Sequence, residues 1–331
     1  MGDASTTAGP AGTGASGGRH AGAPPGGAHC LHRALVYEDD AHYVRAVGRF
    51  VREGVRDGER VLVAAPAGRL AVVAEDLGAD ARSVDLLDTA AAERRSGDVF
   101  ALLGAYAAAG RSRVVAETAT ADRRPDELRE ILRHEAALNV VLADADVAVL
   151  CPYDGRVVGE AVADALHRTH PEVVRDGHVV RGRGFRNPRE FVESAVAGEP
   201  PPDGPVLELR SVRDVAGARR AVRAVAAAAG VAPSAVDDLG VAAGEVAANA
   251  VVHGGGDARL WCGVRDGVVV CTVRDAGRGP QDPLAGYLPP GGGAAEGRGL
   301  WLARRLCDSV EVAAGPAGTE VTLRRAAAPP R

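Results

Sequence analysis

Gly244-Glu-Val-Ala-Ala-Asn-Ala-Val-Val-His253 reads as one helical stretch whose polar residues fall on a single stripe. Glu245, Asn249 and His253 recur at i, i+4 steps, each about 40° around the helix from the last. A carboxylate and an amide on one face suit Mg2+ held through an oxygen ligand and waters, with the carboxylate orienting or deprotonating a nucleophile. Taken alone, the same spacing fits an ordinary solvated helix face.

Working outward, Val273-Arg-Asp-Ala-Gly-Arg-Gly279 lies at the end of a predicted strand. Its glycines allow close backbone approach to a flat or anionic ligand, and Asp275 offers an acceptor to an exocyclic amine. Gly297-Arg-Gly-Leu-Trp301 opens a helix, where backbone N–H groups and the helix dipole favour phosphate. Gly318-Thr319 falls between the two final strands. Each motif is weak by itself: a D-x-G turn and a G-x-G before a helix both have structural explanations.

The surrounding pattern predicts a strand at 206–209, a helix from an N-cap at Ser211 to 229, and a second helix over 234–252. Strands at 259–265 and 268–274 follow, joined by the hairpin-turn signal Asp266-Gly267. A Gly- and Pro-rich stretch, 275–297, precedes a helix at 299–307 and strands at 310–312 and 320–323. The expectation is helices on one face of a mixed, mostly antiparallel sheet, interrupted by a loop long enough to suggest function or disorder.

E-x-x-x-N, D-x-G-x-G, G-x-G-L and the final Gly-Thr occur in this order on helix, strand, helix and strand. Together they resemble the boxes of the GHKL ATPases and kinases over the whole domain, 206–326, and their wording is most similar to the anti-sigma-factor serine kinases. The resemblance implies a Bergerat-type α/β sandwich that binds ATP with Mg2+. It assigns Mg2+ to Asn249, base or orienting duty to Glu245, and the adenine amine to Asp275. Gly277, Gly279, Gly297 and Gly299 would shape the nucleotide lid, Leu300 would belong to the nucleotide-binding set, Arg298 would face phosphate or solvent, and Thr319 would bond near the adenine edge. It also implies a STAS-domain anti-sigma antagonist or a sigma factor as partner, and a homodimer. Transfer to a protein, simple hydrolysis and an ATP-gated scaffold without catalysis all stay open.

Upstream, apolar runs at 33–37, 61–65, 84–87, 114–116 and 147–151 alternate with helical stretches such as 43–56 and 126–142. Such alternation predicts a largely parallel α/β sheet. His32-Arg-Ala-Leu-Val-Tyr37, Arg133-His-Glu-Ala-Ala-Leu-Asn139 and Leu150-Cys-Pro-Tyr-Asp154 resemble the MEDS sensory domain over roughly 32–196. That family resembles the RecA-like fold without its nucleotide loop, and no G-x-x-x-x-G-K-[ST] occurs here. Helix 126–142 carries Glu135 and Asn139 on its apolar stripe, with His134 at the edge. Polar groups there need partners. These are structural groups or an unknown small-molecule signal near Cys151, Tyr153 and Asp154. His134-Glu135 also imitates a phospho-acceptor box, the basis of a histidine-kinase alternative. A Pro-rich segment, where histidine kinases carry a dimerisation helix, speaks against it. His167 and His170, at i, i+3, read as a solvated helix end because no third metal ligand is visible.

Composition sets the outer limits. The 331 residues suit two domains: a disordered tail at 1–28, a sensory domain at 29–197, a stiff linker at 198–205 and the ATP-binding domain. Every one of the 39 basic residues is Arg, so no site can depend on Lys. A net charge of -5 gives no global reason to expect direct nucleic-acid binding. No apolar run is long enough to span a bilayer, and the five cysteines form no C-x-x-C pair. A cytoplasmic protein with free thiols and no membrane contact is the expectation.

Overall fold

The computed structural model describes residues 30–89, 96–120, 123–175, 177–193, 200–288 and 297–327. The tail at 1–28, the first part of the linker and residues 289–296 of the Gly- and Pro-rich stretch lie outside the described residues.

The N-terminal domain runs β1 (Leu31–Tyr37), α1 (Asp40–Arg56), β2 (Arg60–Ala65), α2 (Ala67–Leu77), β3 (Asp85–Asp88), α3 (Ser96–Ala108), β4 (Ser112–Ala116), α4 (Pro125–Val141), β5 (Val147–Asp154), α5 (Glu160–Thr169), β6 (Glu172–Arg175), β7 (His178–Arg181) and α6 (Pro188–Glu193). The sheet order is β3-β2-β4-β5-β1-β6-β7, parallel except for the β6–β7 hairpin. Alternating side chains bury both faces, as a parallel sheet requires. Leu35, Tyr37 and Leu150 pack under α1 and α2, whereas Ala34, Val149, Cys151 and Tyr153 pack under α3, α4 and α5. The parallel strands and helix 126–142 fall where the sequence predicts them. The antiparallel edge at 172–181 does not show in its periodicity.

The C-terminal domain runs β8 (Val206–Leu209), α7 (Val212–Ala228), α8 (Pro233–His253), β9 (Ala258–Arg265), β10 (Val268–Asp275), α9 (Arg298–Leu306), β11 (Ser309–Gly315) and β12 (Gly318–Ala326). Its sheet, β11-β12-β10-β9-β8, is antiparallel at every pairing, more uniform than the mixed sheet expected. Asp266 and Gly267 take the positive φ of a tight hairpin turn, 50° and 74°. α7 starts where Asp214 accepts from the backbone N–H groups of Ser211 and Arg210. Its Val215, Ala218, Val222 and Ala226 bury against α8 and the sheet. The end of the linker runs along β9, with Cys262 N donating to the Pro205 carbonyl and Arg265 to that of Pro200.

Candidate nucleotide site and buried cluster

The apolar face of α8 (Leu239, Ala242, Ala243, Val246, Ala247, Ala250) is buried, which fixes the helix rotation and leaves Glu245 and Asn249 half-buried at its edge. Glycine at 244 makes room for Arg219 of α7, whose Nε a Cβ there would strike. Arg219 Nη2 lies 3.5 Å from Glu245 Oε1, a partner that no spacing in the sequence announces.

Asp275 ends β10 directly across from Thr319 of β12. Its Oδ1 accepts from Gly277 N at 2.7 Å, and Thr319 Oγ1 donates to the Gly277 carbonyl at 2.8 Å. Ala276 N donates to Gly254 O, tying this turn to the end of α8. Burial pushes the Asp275 carboxyl above its ordinary value, against the opposing pull of the Gly277 N–H and His253. Gly279 has φ 70°, and a Cβ there would lie 2.8 Å from Thr319 Oγ1.

α9 closes the third side. Gly297 precedes it in the left-handed region, φ 82°, and Gly299 packs so closely that a Cβ would sit 2.9 Å from Asn249 Nδ2. Gly286 approaches the backbone of Leu300 and Trp301 from the loop. The Leu300 side chain belongs to the hydrophobic core of the domain. Arg298 and His253 are exposed. A half-buried carboxylate and amide from α8, a second half-buried carboxylate from β10 and closely packed glycines thus gather at one end of the sheet. Chemically, Asp275 can accept from an amine-bearing planar ligand, and Glu245 and Asn249 offer oxygen ligands beside the backbone N–H groups of the first turn of α9.

The residues singled out in the N-terminal domain separate into three places. Glu135 of α4 meets Cys151 and Tyr153 of β5: Cys151 Sγ donates to Glu135 Oε2 at 3.3 Å and Tyr153 OH to Oε1 at 3.1 Å. His32 of β1 and His170 after α5 join them, with Nε2 atoms 3.0 Å and 3.5 Å from the same Oε2. His170 is therefore wholly buried and not a solvated helix end, whereas His167 stays outside the cluster. Burial raises the Cys151 thiol well above its ordinary value, and Glu135 adds to this. Burial and the neighbouring His32 lower His170. Asp154 lies apart, paired with Arg156 at 2.6 Å. The sheet register explains why β1 contributes: strands β1 and β5 run side by side, a neighbour relation that sequence spacing does not reveal.

His134 points the other way, into the contact between the domains. It is 4% exposed, stacks on Phe100 at 4.9 Å and meets Tyr287 edge-on. Beside it Arg304 of α9 bonds Glu130 Oε1 and the Val310 carbonyl, each at 2.7 Å, and lies 3.7 Å over the Tyr287 ring. Leu284 and Tyr287, from the loop before α9, complete the hydrophobic core of the N-terminal domain. Arg305 bonds Asp98, Ser309 bonds Asp126, and a Cβ on Gly97 would lie 2.5 Å from the Arg304 carbonyl.

The class of the C-terminal domain follows from comparison with known families. Residues 209–325 match the profile of the histidine kinase-like ATPase domain, and residues 31–171 match that of MEDS, the methanogen/methylotroph, DcmR sensory domain. The chain therefore joins a MEDS domain to a histidine kinase-like ATPase domain. Among solved structures it is similar to the RsbU and RsbW domains of Rv1364c from Mycobacterium tuberculosis. That match has 24% identity over 39% of this chain, a TM-score of 0.29, and spans 34% of the other chain. None of the curated proteins matches. Among the described residues no helix is long and apolar enough to cross a membrane.

Proposed function

We propose that this protein is an ATP-dependent serine/threonine protein kinase of a partner-switching circuit. It would phosphorylate a STAS-domain anti-sigma antagonist, and so control a sigma factor, under the influence of its N-terminal sensory domain. The observation that supports this reading is the packing of Gly299 against Asn249 one helical turn from Glu245, which brings a helix start, an amide and a carboxylate together. Asn249 would hold Mg2+ and Glu245 would orient or deprotonate the acceptor hydroxyl. Asp275 and Thr319 would read the adenine edge. Mg2+ supplies the charge neutralisation that phosphoryl transfer needs. Incubation of the full chain with labelled ATP and STAS-domain proteins tests the reading: phosphoserine or phosphothreonine on a partner supports it, and no transfer to any of them sinks it.

A second reading is an ATP-gated anti-sigma scaffold, favoured by the Arg219–Glu245 contact, which engages the proposed base. Under the kinase reading Glu245→Ala abolishes transfer and keeps ATP binding; under the scaffold reading regulation is unchanged. Phosphorylation of His134 finds no support in the fold, because its ring is enclosed by Phe100 and Tyr287.

A further inference from the structure

The cluster around Glu135 is built as a cation site. His32 Nε2, a Glu135 carboxylate oxygen, Cys151 Sγ and His170 Nε2 all lie within 4.8 Å of one another, and each residue is at most 2% exposed. Separations of 3.0, 3.3, 3.5 and 3.5 Å link His32 to Glu135, Cys151 to Glu135, Cys151 to His32 and His170 to Glu135.

Neighbouring groups fix the hydrogens. Asn139 Nδ2 donates to the carbonyls of Glu135, Ala136 and Thr169, so its Oδ1, 3.1 Å from His32 Nδ1, accepts. His170 Nδ1 lies 3.2 Å from the Leu166 carbonyl, which only accepts, and 2.9 Å from Thr169 Oγ1, whose own hydrogen goes to Ala165 O. Both Nδ1 atoms therefore carry hydrogen. In neutral imidazoles the two Nε2 lone pairs then face a carboxylate in a space closed to water, and His170 Nε2 makes no hydrogen bond. Acceptors turned on one another in a buried space require a positive charge between them.

We propose that His32, Glu135, Cys151 and His170 bind one zinc-class divalent cation. Two imidazole nitrogens, one thiolate and one carboxylate form a borderline-soft set that suits Zn2+ and disfavours the all-oxygen preference of Mg2+ and Ca2+. Tetrahedral zinc separates such donors by roughly 3.3 to 3.8 Å, close to the distances above. The outer layer that orients ligands is already in place: Asn139 on His32, Leu166 and Thr169 on His170, and Tyr153 on the second oxygen of Glu135. On loading, the Cys151 S–H bond breaks, its proton passes to solvent and its sulfur becomes a ligand. Four protein ligands leave no open position, so the ion crosslinks β1, β5 and the end of α5 to α4.

The test is Co2+ titration of the full, chelator-stripped protein, followed by absorbance. One equivalent giving tetrahedral d–d bands and a sulfur-to-cobalt charge-transfer band, both removed by Zn2+, is the expected result. Cys151→Ser should lose the charge-transfer band, and His170→Gln should weaken binding by about 100-fold or more, while His167→Gln leaves it unchanged. Folded wild-type protein without the charge-transfer band, or binding indifferent to Cys151→Ser and His170→Gln, would overturn the proposal and leave a cluster bridged by protons only. The wild-type spectrum decides even where a variant fails to fold.

Discussion

Glu130 of α4 and Arg304 of α9 form a 2.7 Å ion pair across the two domains, with neither side chain more than 4% exposed. Tyr287 closes over it, its ring under the guanidinium and its hydroxyl 3.4 Å from Glu130 Oε2. Removing one partner strands a buried charge, which costs about 3–5 kcal/mol, whereas replacing both with apolar groups is often neutral. In denaturant unfolding of the full chain, Glu130→Ala and Arg304→Met should each destabilise by about that amount. The double variant should recover much of the loss, and additive losses would show the pair to be uncoupled.

The same pair predicts an acid response. Burial pushes the Glu130 carboxyl up, but Arg304, His134 and Arg133 outweigh it and hold the carboxyl below its ordinary value. A carboxyl depressed by folding contributes stability that is present above its unfolded value near 4.5 and lost as pH falls through the folded value. Stability should therefore decline below about pH 4.5, and this decline should shrink in Glu130→Gln, as read by thermal melts across pH.

For the nucleotide site, Asp275→Asn removes a charged acceptor beside the proposed adenine position. A hydrogen bond to a charged group is worth about 1.5–3 kcal/mol, so ATP affinity should fall roughly 10- to 100-fold by calorimetry, with little change in the melting temperature. Unchanged affinity would place the base elsewhere.

Gly299→Ala sets two effects against each other. Alanine in a helix is favoured over glycine by about 1 kcal/mol, yet the new methyl would crowd Asn249 Nδ2 at 2.9 Å. Folding should be preserved and Mg2+-dependent ATP binding reduced. A variant that binds ATP normally would remove Gly299 from the site.

Much of this was legible in the residues. The i, i+4 stripe of α8, the Asp266-Gly267 hairpin and the glycines before α9 each carry a local backbone signature, and local signatures survive in a single sequence. The strand and helix alternation likewise declared a parallel sheet. Relations set by tertiary neighbours were not legible. His32 is 103 residues from Glu135, and only the pairing of β1 with β5 brings it under α4. The solvated appearance of His170 came from its helix end, which the sheet covers. Arg219 reaches Glu245 only because α7 and α8 pack through glycine at 244.

The placement of Leu284 and Tyr287 in the N-terminal core means that the two domains are not interchangeable cassettes. A fragment cut at the linker would uncover apolar side chains and abandon the Glu130 carboxylate without its guanidinium. Its solubility would then reflect a wound rather than the native domain. Cooperative unfolding should accordingly span both halves, and the smallest faithful object of study is the covalently joined pair.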